Sequence, residues 1–292
     1  LIEASTGKIT DVDKAVSSEI RSYSFSPDSR WITYTKEGEN EKPAVWVYDI
    51  PAGTQHQLTD GTFSDESPVF SLDGNYIFFA SGRDYNLSFS SFDFDYIYDK
   101  ATRLYALALT PKSPKIFKDK NDTEPVKEEK AAEPATKTAK AKKDKTPAED
   151  TPAETKKVKV EIDFNGINNR VTALPGEAGE YRIAGAAEGG LIFINDGKLM
   201  KYNMEEEKNE EILDRVMSAS ITSDGKMAMY RSGPDYGIIK LTPGQKAGAG
   251  KLNLDGLEMK IDPQKEWNQI YTDAWRIFRD FFYVNNLHGV DW

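Results

Sequence analysis

FSPDSRWITY at residues 25–34, FSLDGNYIFF at 70–79 and ITSDGKMAMY at 221–230 are three renderings of one ten-residue pattern. Each has an apolar residue, a Ser/Thr–x–Asp–Gly/Ser turn, and an alternating run rich in aromatic and β-branched residues. Asp can bond its own backbone two residues on, Pro fixes φ, and Gly accepts φ > 0, so the centre of the pattern is a tight turn. The flanks favour strands, and apolar runs joined by Asp-Gly are a strong hairpin signal.

Working outward from the first copy, Ser22–Phe25 and Trp31–Thr35 are the strands of that hairpin. Ala44–Ile50 is a third strand, Pro51-Ala52-Gly53 a turn, and Thr54–Leu58 a fourth strand. The second copy predicts strands before Leu72 and over Tyr76–Ala80, Arg103–Leu109 and Lys115–Phe117. A third, weaker unit runs from Tyr181 through Gly190–Asp196 and Leu199–Met204 to Glu211–Leu213. A fourth runs from Val216 through the turn at 223–226 and MAMYR to Tyr236–Thr242. Four-stranded units recurring at roughly 40–45 residues are the signature of β-propeller blades, which cover one another's faces around a central channel. A β-sandwich also has short strands and regular turns, but it gives no reason for the turn to recur at the same place in each unit.

The expected fold class is therefore all-β: a partial β-propeller of four-stranded blades, about four blades plus a half blade, with one C-terminal α-helix. The half blade is Leu1–Ala4 and Ile9–Val12 around a turn at residues 5–8. A chain that opens inside a hairpin, with neither a basic nor an apolar leader, reads as a fragment of something longer. Complete propellers have four to eight blades, so the expectation is an arc with exposed edges. The domain reading is propeller blades over 1–117 and 158–260, a disordered charged insert over 118–157, and the start of a helical domain over 261–292. The insert is mostly Lys, Glu, Asp, Ala, Thr and Pro, and cannot bury enough surface to offset the entropy of ordering. Order is expected to resume over 158–167 and 170–175, as an alternating strand and then a turn.

The last section changes period. Asp262 is a predicted N-cap and Pro263 the first helical residue. Trp267, Ile270, Tyr271, Ala274, Ile277, Phe278 and Phe281 fall three or four apart on one face of a helix over Pro263–Tyr283. So much aromatic surface calls for a partner domain.

The 292 residues carry a net charge of −10, which disfavours nucleic acid and anionic membrane surfaces as partners. No apolar run approaches the roughly 20 residues of a membrane span. The absence of cysteine excludes disulfides and thiolate chemistry. Two histidines are present: His56 on a predicted outer strand and His288 after the helix. Neither has a third ligand type beside it, so a zinc site is not expected. Asp93, Asp95 and Asp99 lie close together in FDFDYIYD, where carboxylates two apart on a strand share a face and could bind a cation, but the glycine turn of a calcium loop is missing and they read as structural or solvent-facing. AGAGK at 247–251 lacks the remaining positions of a phosphate-binding loop and reads as a flexible loop. No G-x-S-x-G elbow occurs and no nucleophile, base and oxyanion set can be assembled. Catalytic, cofactor-binding and metal sites are each expected to be none, with no cofactor.

EWNQIYTDAWRIFRDFFYVNNLHGVDW at 266–292 resembles the entry to the helical domain of tricorn proteases. LDGLEMKIDP at 254–263, SSFDFDYIYDKATRLYALAL at 90–109 and the charged insert before VKVEIDFNGI resemble the bacterial branch of that family. The blade hairpins alone would also suit TolB-like scaffolds, which bind a protein or glycan partner, or prolyl-oligopeptidase-type propellers. The resemblance implies a parent serine peptidase with two propellers, a helical domain, a PDZ domain and a protease domain. It implies that this chain is an inactive, non-catalytic piece, because the family's catalytic histidine and serine lie beyond residue 292. His288 falls in the HGVDW run, not in the catalytic motif. The implied partners are peptide substrates and the remaining peptidase domains, with room for a homo-oligomer; the implied compartment is the periplasm.

Overall fold

The computed structural model describes residues 1–15, 19–84, 87–92, 94–98, 100–117, 158–284 and 286–291. The charged insert expected over 118–157 lies outside them, as do Asp93 and Asp99. The chain divides into two compact units, 1–251 and 252–292.

The first unit consists of antiparallel sheets that follow the repeats. Blade one is β1 (Arg21–Phe25), β2 (Trp31–Glu37), β3 (Pro43–Asp49) and β4 (Thr54–Gln57), paired in chain order. Blade two contains β5 (Asp65–Phe70) and β6 (Tyr76–Ser81), then a separate hairpin of β7 (Leu87–Ser90) and β8 (Asp95–Tyr98). It continues with β9 (Arg103–Ala108) and β10 (Val171–Ala173), in the order β5-β6-β9-β10. Blade three is β11 (Tyr181–Ala187), β12 (Gly190–Asn195), β13 (Lys198–Asn203) and β14 (Lys208–Leu213). Blade four has three strands, β15 (Ser218–Ile221), β16 (Met227–Ser232) and β17 (Asp235–Lys240).

Burial shows how the sheets stand. All six residues of β6 are buried. Ile77 and Phe79 enter a core shared with Trp31, Val45 and Val47 of blade one. Tyr76, Phe78 and Ala80 enter a different core, shared with Leu191, Phe193 and Tyr202 of blade three. Successive strand residues point to opposite faces, so blade two is covered on both. Blade three repeats the arrangement: Ile192 and Ile194 turn away from that second core into a third, with Ala228, Tyr230 and Ile239 of blade four. Two facing layers would share one core; here each inner blade lies between two. The first strands pack on one another in the order β1, β5, β11, β15, and β15 has no comparable contact with β1. The sheets are therefore propeller-like blades in an arc.

Two strand expectations do not hold. Lys115–Phe117 is not the outer strand of blade two; Ile116 is buried in the core between blades two and three. Val171–Ala173 pairs with β9 instead, Thr172 opposite Ala106. The stretch 158–167 is not a strand either. It is an extended wedge between blades one and two: Val160 donates its N–H to Asp28 Oδ2 (2.8 Å), and Trp31 Nε1 donates to the Val160 carbonyl. Val160 and Ile167 complete the first core. An alternating pattern reports only that alternate residues are buried, and a wedge between two sheets satisfies it without a ladder.

At the start of the chain, Ile2 bridges Ile9, the Leu1 and Thr10 backbones bond each other, and Glu3 donates its N–H to the Lys8 carbonyl. The second unit carries α1 (Pro263–Phe281), two residues shorter than its pattern. Asp262 is at the N-cap without a side-chain capping bond, and no residue of the helix is buried. Among the described residues no helix is long and apolar enough to cross a membrane.

Candidate functional site: the channel along the inner strands

The three copies of the opening pattern close by one hydrogen-bond scheme. Ser26 Oγ donates to Asp28 Oδ1 (2.6 Å), that carboxylate accepts the Arg30 N–H (3.1 Å), and Ser26 Oγ accepts the Trp31 N–H (2.9 Å). Ser71, Asp73, Asn75 and Tyr76 repeat it at 2.5, 3.1 and 3.0 Å. Thr222, Asp224, Lys226 and Met227 repeat it at 2.5, 3.2 and 3.1 Å. The residue after the Asp has positive φ each time: 60° at Ser29, 73° at Gly74 and 66° at Gly225. At Gly225 a Cβ would lie 2.9 Å from Ala187 Cα and 2.5 Å from Leu72 Cδ1. Glycine is needed there for space as well as for φ.

These turns end the first strand of their blades, and those strands line a cavity of about 820 Å³. Ser22–Phe25 of blade one, Ser67–Phe70 of blade two, Ile183–Ala186 of blade three and Ile221–Ser223 of blade four all contribute to its wall. Three of the strands are bulged at matching places: between Arg21 and Ser24, between Glu66 and Val69, and between Ile183 and Gly185. A bulge bends its strand and breaks the ladder locally, turning the inner strand along the channel. Positive φ marks each bulge, 53° at Ser22, 54° at Ser67 and 156° at Gly185. A Cβ on Gly185 would meet Ile221 Cβ at 2.8 Å, so this glycine lets the inner strands of blades three and four approach.

The wall is mainly hydroxyl and apolar. Asp224 and Lys226 are its charged side chains. The hydrogen bond from Thr222, with the Lys226 N–H, holds the Asp224 carboxyl below the usual range; it is an ionised turn-former, not a proton carrier. Such a wall offers many weak hydrogen bonds and little charge, which suits passage of polar, extended molecules more than tight capture.

Among the described residues, none of those weighed from the sequence lines this cavity. His56 is on β4, its ring stacked on Phe164 of the wedge at 4.1 Å and its Nε2 3.2 Å from Thr54 Oγ1. His288, with φ 55°, packs edge-on against Phe282 and Tyr283 in the second unit, and its Nε2 shares a hydrogen bond with the Tyr283 hydroxyl. Asp95 caps its neighbour's N–H on β8. Among the described residues no His, Asp and Glu are grouped to hold a metal. The AGAGK loop is built against blade four. Ile238 donates its N–H to the Gly250 carbonyl, Tyr230 Oη donates to the Ala249 carbonyl (2.7 Å), and a Cβ on Gly250 would collide with the Ile238 carbonyl. It covers the edge that a fourth strand would otherwise occupy. The sequence reading named no channel residue, although the repeat held the signal: the lining is the strand before each turn.

Residues 1–242 match the family model described as "Tricorn protease second beta propeller domain", and residues 263–292 that described as "Tricorn protease C1 domain". "Tricorn protease homolog 1" of Streptomyces coelicolor is 22% identical over 100% of this chain, and "Tricorn protease" of Thermoplasma volcanium 24% over 97%. The chain spans about a quarter of the length of the curated relatives it matches: 28% and 26% of these two. The crystal structure of the tricorn protease superposes with a TM-score of 0.70 at 18% identity, over 99% of this chain and 27% of that one. With blades, channel and both family models in agreement, the chain belongs to the tricorn protease family.

Proposed function

We propose that this chain is the non-catalytic propeller segment of a tricorn-like serine peptidase, guiding peptides through its inner-strand channel toward a protease domain elsewhere in the parent protein. The observation that carries this reading is the wall itself. Four inner strands converge on one space of about 820 Å³, lined by hydroxyl and apolar groups with one acidic and one basic side chain. The Thr54–His56 hydroxyl–imidazole pair is not part of this wall, and in this reading the segment selects and delivers and does not cleave. Bulged strands bring backbone groups to the channel, and backbone is the part of a peptide substrate common to every sequence.

The test narrows the channel in the full-length parent. Pro27 and Ser223 are exposed and line the cavity at the turns. Pro27→Trp with Ser223→Trp is expected to lower kcat/KM for peptides of about ten residues roughly tenfold, a loss of about 1.4 kcal/mol, and to spare a short chromogenic amide. Equal effects on both substrates, or none on either, would overturn the guiding role. Peptidase activity from the 292 residues alone would overturn the non-catalytic assignment. We propose the periplasm as the parent's compartment, which osmotic-shock fractionation of the native host checks.

A further inference from the structure

Blade three closes its first hairpin differently from its neighbours. In blades one, two and four the Ser/Thr–x–Asp turn puts four residues inside the last bonded pair, which is Ser26 with Trp31, Ser71 with Tyr76 and Thr222 with Met227. In blade three Ala187 pairs with Gly190, and Glu188-Gly189 alone makes the turn. Two-residue loops are among the tightest hairpin connections. The strand leading into this one is Ala184-Gly185-Ala186-Ala187, with no side chain larger than a methyl. The end of blade three is therefore shorter and flatter than the loops on either side of it.

Blade two fills the space this leaves. Leu72 is the middle residue of its Ser71-x-Asp73 turn and is half-buried, while its counterparts Pro27 and Ser223 are exposed. A Cβ on Gly225 of blade four would lie 2.5 Å from Leu72 Cδ1, 2.9 Å from Ala187 Cα and 3.1 Å from the Ala186 carbonyl oxygen. Leu72 thus reaches over blade three and packs on the turn of blade four. Its own turn is fixed from the other side: a Cβ on Gly74 would lie 2.9 Å from both Val158 Cγ1 and Val160 Cγ2 of the wedge. The bonds among Ser71, Asp73 and Tyr76 close the turn around it. Leu72 also lines the cavity, at the end where the turns of blades one and four contribute Pro27, Ser29, Ser223 and Asp224.

We propose that Leu72 is a specificity-determining residue: a fixed aliphatic constriction at the turn end of the channel, which passes peptides with small side chains faster than peptides with bulky ones. The inference rests on the guiding role proposed above. Leucine offers no hydrogen bond, so it sorts by size and shape alone. A bulky side chain at this level has to displace Leu72 from its contact with the Gly225 turn, and packed atom pairs lost in that way are not replaced while it passes. A methyl side chain demands far less displacement. The turn that carries Leu72 does not swing aside to make room, because the wedge holds it at Gly74.

The test uses the full-length parent and two peptides of about ten residues that share a cleavage sequence and differ at two flanking positions, Ala in one and Trp in the other. The unmodified enzyme is expected to turn over the Ala peptide with a kcat/KM about fivefold higher or more. Leu72→Ala is expected to bring the two peptides within about twofold by raising the Trp peptide, and Leu72→Phe to widen the gap, with a short chromogenic amide unchanged in both. A damaged blade would move both variants the same way, so opposite shifts identify the constriction. An unmodified enzyme that treats the two peptides alike, or a ratio that the two variants leave unchanged or shift in the same direction, would overturn the proposal. If Pro27→Trp with Ser223→Trp slows long peptides while the Leu72 variants leave the ratio unchanged, the constriction alone falls. If that pair has no effect on long peptides, the guiding role falls and the constriction with it.

Discussion

Asp28 forms more than its turn. Its Oδ1 serves the turn and its Oδ2 holds the Val160 N–H, so one carboxylate ties the blade-one hairpin to the wedge. Burial pushes this carboxyl up, but the bonds from Ser26, Val160 and Arg30 outweigh it and leave it below the ordinary value. Asp28→Ala removes acceptors from buried partners and is expected to cost about 2–3 kcal/mol in urea unfolding, more than Asp224→Ala at the exposed turn of blade four. Gly225→Ala combines positive φ with a collision against Ala187 and is expected to cost more than about 2 kcal/mol. Gly7→Ala, with φ 69° and nothing within 4 Å, bears the conformational cost alone, about 1 kcal/mol. Asp13 sets a pH dependence. Burial raises its pKa, and hydrogen bonds from Lys36 and Tyr34, at 2.7 and 2.6 Å, bring it below the free value of 3.8. A depressed folded-state pKa means stability that is present above 3.8 and lost as pH falls below it. Asp13→Asn is therefore expected to flatten the acid limb of stability between about pH 5 and 2, measured by denaturant midpoints.

Among the elements, the wedge decides how blades one and two meet. Trp31, Val160 and Ile167 share one core, and the turn containing Ile167 leads directly into β10. Ile167→Ala is expected to cost about 2–4 kcal/mol. It should also raise hydrogen exchange in β4 and β10 before β12, because it opens the joint between two blades and leaves the core between blades three and four intact. Blade two shows what periodicity can and cannot report. YIFFAS was recognisable as a strand, and its lack of polar alternation marks burial on both faces. The outer strand of blade two comes from Val171–Ala173, beyond the charged insert, and nothing in the residues of 115–117 distinguishes a strand from a buried loop contact. The helix was legible in position. Its aromatic stripe, with Trp267, Tyr271 and Phe278 all exposed, is the surface that the sequence had marked as needing a partner.

At the scale of the molecule, the candidate site is a relation between blades. Each inner strand is unremarkable alone, and the channel exists because four of them stand around one space. Local chemistry in the sequence determined the turns, most of the strands, the repeat of four and the helix, because backbone preferences and alternation act over a few residues. Only the tertiary structure decided which strand completes blade two, what the stretch after the insert does, which residues line the cavity, and that β7 and β8 form a two-stranded sheet of their own. Those are contacts between residues tens of positions apart. Their energy depends on where whole sheets pack, which no local propensity encodes.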